Sequence, residues 1–324
     1  MVNKPIDNSD FEQDWADRNA KRMKEQRQRF KKRIKENITN NSGPYVTKLS
    51  LRPCPFLFWD LGSNIGDAVH KVIDSFLPEI EDGYFHINTT TGYLQIEHES
   101  FITPRILSRW VYERISQHQT RLSSSSHQHY VKSLLPEHYC FYGIEGNPYF
   151  TTTLQKIELD ILHMDPRPLR NIHFLTEHVT APQNGPTTMF LDTTNTKMNY
   201  WGSSLFKTHA DVQKSGNITA VPVTGVTLTT LLQQTVLPGG HVMIKIDIEG
   251  AEYAVLEEAI QSKIFCKLVK EMGVTVDIIM EEHSAITLGN EEPRTRWESI
   301  IQGEKAIRAC GVDLRIPKTL IPVW

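Results

Sequence analysis

The sequence predicts an α/β fold: a doubly wound, mostly parallel sheet with an insertion after its first helix and a helical arm at its N-terminus. Three segments carry that reading. In residues 241–254 an apolar run (Val242, Met243, Ile244, Ile246, Ile248) carries Lys245 and Asp247, breaks at Gly250 and restarts as a helix. Residues 56–61 form a second strand-like run with Asp60 near its end, followed by Gly62-Ser63-Asn64-Ile65-Gly66 and a helical stretch to about residue 77. Residues 139–145 repeat the pattern and end on Glu145. Ligands of such sheets sit at the carboxyl ends of the strands, where these three acids fall.

In chain order, residues 1–42 read as a basic arm. Phe11, Trp15, Met23, Phe30 and Ile34 make a thin apolar stripe on a highly charged helix. Residues 18–35 hold ten Lys or Arg against Glu25 alone, so a net charge of −3 leaves the remainder at −12. A solvated helix lying on the domain accounts for the stripe; the sharper reading is contact with an acidic partner or a nucleic-acid backbone. Asn40, Asn41, Ser42, Gly43 and Pro44 mark a break, and residues 43–324 read as the α/β domain.

Residues 78–138 are far longer than an ordinary connection. Within them residues 104–122 look helical and carry Trp110 and Tyr112. Long insertions of this kind form lids or substrate walls. After the strand at 139–145, Asn147-Pro148 opens a helix to about residue 162. Residues 172–175 form another strand, and residues 187–191 and 218–223 read as strands around a polar loop containing Trp201-Gly202-Ser203-Ser204-Leu205. A helix over 227–234, the strand from 241, a strand over 274–280 with Glu281-Glu282-His283 at its tip, and closing strands within the remainder, including 310–316, complete the doubly wound sheet.

Cys54, Cys140, Cys266 and Cys310 lie far apart without a CxxC pair. Structural zinc is not indicated, no disulfide framework is read, and the expectation is reduced, buried thiols in the cytoplasm. Neither a signal-peptide pattern nor a membrane-spanning run is present in the sequence.

The first turn reads Asp-x-Gly-x-Asn-x-Gly, which is not the glycine spacing of dinucleotide folds. Gly62 suits a tight turn, Gly66 suits close approach of backbone to a ligand, and Asn64 tolerates the left-handed region. Glu145 offers two oxygens to the hydroxyls of a ribose. Lys245 and Asp247 are two apart on a strand and share a face, which predicts a buried Lys–Asp pair. Glu252 suits the positive end of its helix. Asp247 is the first candidate proton acceptor, with Glu249, Glu281 and His283 behind it; a purely structural Asp247 weighs equally. Glu281, Glu282 and His283 offer hard ligands that Asp247 could face across adjacent strands, but without His-rich or Cys-rich spacing for zinc, and with only scattered carboxylates for magnesium, no obligatory metal is expected.

Asp60-Leu-Gly-Ser-Asn-Ile-Gly66, Gly143-Ile-Glu145-Gly-Asn-Pro148, Gly202-Ser-Ser-Leu205, Thr227-Leu, Lys245-Ile-Asp-Ile-Glu-Gly-Ala-Glu252 and Ile279-Met-Glu-Glu-His283 follow one another in the order seen in FkbM-type methyltransferases. The chain resembles that family over about residues 54–285. The resemblance implies a seven-stranded class I methyltransferase (Rossmann-like) fold and S-adenosylmethionine as cofactor. It implies that Asp60, Gly62, Ser63, Asn64 and Gly66 hold the amino-acid end of the cofactor and that Glu145, with Asn147 nearby, holds the ribose. Thr176 and Glu177 would lie near the adenine. Asp247 and Glu249 would stand at the methyl-transfer end, with Lys245 and Glu252 close by. The expected activity is O-methylation of a small molecule or glycan. An RNA-modifying protein using the arm at 18–35, or a cofactor-binding scaffold without transfer, are the alternatives. The acidic body argues against nucleic acid, and the intact Asp60, Gly62, Gly66 and Glu145 argue against loss of the cofactor site.

Overall fold

A computed structural model of the chain describes residues 51–75, 104–124, 136–165, 167–194, 202–216, 218–281 and 302–316, together with Leu49, Tyr200 and His283. The basic arm expected over 1–42 lies outside the described residues, as do residues 78–103 and 125–135 of the insertion.

Six strands form the main sheet: β1 (Cys54–Leu61), β2 (Tyr139–Glu145), β3 (Asn171–Thr176), β7 (Val236–Ile246), β8 (Thr275–Met280) and β9 (Asp313–Arg315). Their order is β3-β2-β1-β7-β8-β9, and every pairing is parallel. The chain therefore builds outward from β1 to β3, then crosses back to lay β7 on the other side of β1. That crossing is the switch point of a doubly wound sheet, where a crevice opens beyond the strand tips.

The strands are apolar on both faces, as a covered parallel sheet requires. On one face Leu57, Trp59, Tyr142, Ile144, Val242, Ile244 and Ile278 share a core with α5 (Leu228–Thr235) and α6 (Glu252–Gln261). On the other, Phe58, Phe141, Met243 and Ile279 pack beneath α1 (Asp67–Asp74), α2 (Pro104–Ser124) and α3 (Thr151–Leu162). Phe58 stacks on Phe141 with ring centroids 5.3 Å apart and meets Trp110 of α2 edge-on. The described helix of the insertion is thus a layer of the core. Arg114 of the same helix reaches Asp277 of β8 at 3.7 Å and pairs with Asp313 of β9.

The expected count of seven strands is not reached in this sheet among the described residues. The strands anticipated near 187–191 and 218–223 exist as β5 (Gly185–Leu191) and β6 (Thr219–Val226), but they pair antiparallel with each other. With β4 (His178–Thr180) they make a separate three-stranded sheet ordered β4-β6-β5. A hairpin-like antiparallel pair satisfies its own ladder and needs no place in the parallel sheet.

The cysteine expectation is corrected. Cys54 bonds to Cys140, and Cys266 bonds to Cys310, which leaves no free cysteine. Parallel pairing of β1 with β2 brings the start of each strand together, so cysteines 86 residues apart come to a Cα separation of 6.3 Å. The second bond ties α7 (Ile264–Cys266) to the end of α8 (residues 302–309), with Cα atoms 4.6 Å apart. The premise of a reducing compartment is removed with the free thiols. No helix among the described residues is long and apolar enough to cross a membrane.

Candidate active site at the strand tips

The carboxyl ends of β1, β2 and β7 are stitched together by their backbones. Gly62 and Ser63 both donate to the Ile144 carbonyl at 3.1 Å, and Asp247 N donates to the Leu61 carbonyl at 3.0 Å. The turn after β1 needs left-handed backbone at three places: Gly62 (φ 87°), Asn64 (φ 46°) and Gly66 (φ 78°). Asn64 occupies that region as expected of its type. The glycines serve packing. A side chain on Gly62 would strike the Asp247 carbonyl, and one on Gly66 would strike Leu154 and Ile157 of α3. Gly66 thus seats a helix, which differs from the ligand approach its spacing suggested.

Asp60 and Lys245 are direct neighbours in the β1–β7 register and form an ion pair beside the Lys245–Asp247 pair expected from the strand spacing. Lys245 Nζ lies 3.0 Å from Asp60 Oδ1, 3.1 Å from Asp247 Oδ2 and 3.3 Å from the Gly62 carbonyl. Burial alone would lower the pKa of this ammonium; the carboxylates of Asp247 and Asp60 outweigh it and hold the group charged, well above the ordinary lysine range. Asp60 is fully buried, and its second oxygen has no hydrogen-bond partner among the described residues.

Glu145 accepts two backbone N–H bonds at 2.7 Å, Oε2 from Asn64 and Oε1 from Asn147. Burial is the larger influence and raises its carboxyl to about 7 despite those bonds. Each oxygen keeps a lone pair for a further donor. Asn147 is committed elsewhere: its Nδ2 donates to Ser203 Oγ at 3.2 Å, and its Oδ1 accepts from Tyr149 N at 3.1 Å. Thr176 sits beside Glu145 in the β2–β3 register. Glu177, at φ 60°, turns the chain into β4, and its carbonyl accepts from Thr224 N.

Beyond β7 the loop is held by Glu252. Its Oε1 accepts from Ile248 N and Gly250 N at 3.1 Å and from His283 Nδ1 at 2.8 Å. The carboxylate therefore does more than favour the start of its helix. Glu281 N donates to the Ile246 carbonyl, which extends the β7–β8 ladder and sets Glu281 next to Asp247. His283 Nε2 lies 3.2 Å from Glu281, 3.8 Å from Glu249 and 3.9 Å from Asp247. Burial opposes its protonation, but hydrogen bonds to Glu252 and Glu281 and the charge of Glu249 overcome it and push the imidazole up to about 12. Glu249, at φ 51°, is raised by burial against the opposing pull of His209 and His283. Asp247, Glu249, Lys245 and His283 are all brought to this edge.

A family model described as the methyltransferase FkbM domain matches residues 124–301, more than half of the chain. The chain belongs to the FkbM methyltransferase family. No curated protein and no solved structure matches it significantly. The FkbM match begins after β1 and α1, so the Asp60–Gly66 turn lies outside the matched segment. It lies at the centre of the same sheet, hydrogen-bonded to β2 and β7.

Membership of the FkbM family supports methyl transfer from S-adenosylmethionine at the level of the family. The residues here fit that cofactor's donors. Asp60 Oδ2 and Asn64 Oδ1 are buried acceptors without a partner, which suits an ammonium, and the Glu145 oxygens retain acceptor capacity for hydroxyls.

Three contributors were not assigned roles from sequence. His209 is fully buried, caps α4 (Ala210–Lys214), and places Nε2 3.2 Å from Glu249 Oε2. Ser204 Oγ donates to the Glu249 carbonyl at 2.6 Å, and Ser203 Oγ joins Asn147 to the backbone N–H of Asp192. The Gly202-Ser-Ser-Leu205 motif was the available signal for the serines. Nothing in the spacing pointed to His209.

Proposed function

We propose that the protein transfers a methyl group from S-adenosylmethionine to a hydroxyl of a small molecule or glycan. One observation carries the reading: Asp247, at the acceptor edge, is locked to the turn after β1 through Leu61, Gly62 and Lys245. The cofactor, when bound, supplies a sulfonium-activated methyl group. Transfer is then an in-line displacement in which positioning supplies much of the rate. Asp60 and Asn64 hold the amino-acid end, Glu145 the ribose hydroxyls, and Thr176 and Glu177 flank the adenine. Lys245 fixes the Asp247 carboxylate, which is about a quarter exposed and orients the acceptor hydroxyl. Glu249, steadied by His209 and Ser204, receives the hydroxyl proton. Lys245 supplies charge at this edge and no basic function.

Calorimetry with S-adenosylmethionine and with its demethylated product tests the first half of the reading; absence of saturable binding to both overturns it. Incubation with methyl-labelled cofactor and fractionated small molecules and glycans tests the second half. A methyl ether survives mild alkali and a methyl ester does not, so alkali-labile label refutes a hydroxyl acceptor. Glu249→Gln is expected to slow transfer about 100-fold or more.

A further inference from the structure

Asp247, Glu281 and His283 each offer a ligand atom, and these atoms lie within 4.8 Å of one another. Trans ligands on bonds of about 2.1 Å stand about 4.2 Å apart, so a small closure of side chains encloses an ion. We propose that these three side chains bind one divalent cation of the Mn2+ or Mg2+ class at the methyl-transfer edge. The inference rests on the proposed transfer reaction for its purpose, though not for its geometry.

Two features distinguish the cluster from a chance group of acids. The first is the orientation of His283. Its Nδ1 is bound to Glu252 Oε1 at 2.8 Å, which leaves Nε2 directed at Glu281, Glu249 and Asp247. A carboxylate holding one ring nitrogen so that the other faces a metal is the usual outer support of a histidine ligand. Glu252 is itself immobilised by Ile248 N and Gly250 N, and its remaining oxygen is buried without a partner.

The second is the balance of charge and access. Five carboxylates, Asp60, Asp247, Glu249, Glu252 and Glu281, meet only two cations at this edge, Lys245 and the protonated His283. A divalent ion offsets the excess and takes the Nε2 lone pair of His283 as that nitrogen's proton is released to solvent. His283 and Glu281 are buried whereas Asp247 is partly exposed, so the ion's free positions open toward the acceptor. Carboxylate oxygens with a single imidazole suit a hard divalent ion better than zinc or copper. There the ion takes the acceptor's oxygen as a further ligand and favours its deprotonated form, with the proton passing to Glu249.

The test uses the full-length, disulfide-intact protein after chelator treatment, titrated with Mn2+ while the electron paramagnetic resonance signal of the free ion is followed. One Mn2+ bound per chain is expected. Glu281→Gln and Asp247→Asn are each expected to weaken binding at least about tenfold, and Glu252→Gln about 10–100-fold with all three ligands intact. Thermal melts establish that each variant is folded, and Glu281→Gln, the least disruptive exchange, stands alone if the others fail to fold. A free-ion signal undiminished by excess protein, or equal binding by wild type and Glu281→Gln, overturns the proposal. Cofactor calorimetry repeated in chelator separates this failure from failure of the transfer reading, because the Asp60–Glu145 cradle holds no proposed metal ligand.

Discussion

The side-chain position of Gly62 is occupied by the backbone carbonyl of Asp247. The turn after β1 and the strand tip that carries Asp247 therefore fit only because residue 62 has no Cβ. Residue 62 is also left-handed, at φ 87°. Gly62→Ala combines a backbone clash with a disfavoured conformation, each worth about 1–3 kcal/mol, so a loss of roughly 3 kcal/mol or more is expected in urea unfolding. Gly216 provides the control, since it is also left-handed (φ 68°) but meets nothing within 4 Å. Gly216→Ala should cost about 1–2 kcal/mol, the conformational part alone. Equal losses in the two variants would show that the Asp247 carbonyl yields.

Lys245 links three parts of the site through Asp60, Asp247 and Gly62. Lys245→Met keeps the length of the side chain and leaves Asp60 as a fully buried carboxyl without its cation. The expected cost is about 3–5 kcal/mol. Adding Asp60→Asn should restore part of that stability, because no isolated charge then remains. Additive losses in the double-mutant cycle would mean that the two side chains do not interact.

Glu145 gives the site a pH dependence whose sign follows from its raised carboxyl, near 7. The folded protein keeps this proton at a pH where the unfolded chain has lost it. That part of the stability is full below the usual carboxylate range and is lost as pH rises through about 7. Cofactor binding runs the other way, because ribose hydroxyls donate to the ionised form. Affinity should fall about tenfold per pH unit below about 7 and level off above it. Calorimetry across that range checks the slope. In Glu145→Gln the affinity should be low and lack this inflection, since the amide places an NH2 against the N–H of Asn64 or Asn147.

What could be read from the chain, and what could not, divides by distance along it. Strand, acid, glycine turn and helix are local patterns, so β1, β2 and β7 and the acids Asp60, Glu145 and Asp247 were legible. The Lys245–Asp247 pair followed from an even spacing on one strand. Asp60 joining that pair needed the strand order, which places β7 beside β1 across nearly 200 residues. The convergence of Asp247 with Glu281 and His283 was anticipated as an approach across adjacent strands, and it forms because β7 and β8 are neighbours with their tips level. His209 was missed because it reaches Glu249 from a loop with no periodic pattern.

The cysteines are the remaining long-range feature, and their pairing makes a sharp chemical prediction. With Cys54 bonded to Cys140 and Cys266 to Cys310, protein purified without reductant and unfolded with its thiols blocked should show no alkylated cysteine. Four alkylated cysteines would return the chain to the reduced state that sequence spacing suggested. The bonds close segments of 86 and 44 residues, long enough for cross-linking to restrict the unfolded chain substantially. Removal of either bond by a paired Cys→Ser exchange is expected to cost about 2–5 kcal/mol in reversible unfolding. The Cys54/Cys140 exchange acts at the start of β1 and β2, at the far end of the strands from Asp60 and Glu145. It should lower the melting temperature while leaving cofactor affinity at 25 °C within about twofold, since the strand tips keep their own backbone hydrogen bonds to Ile144 and Leu61. A loss of affinity parallel to the loss of stability would mean instead that the bond sets the geometry of the cradle through the length of both strands.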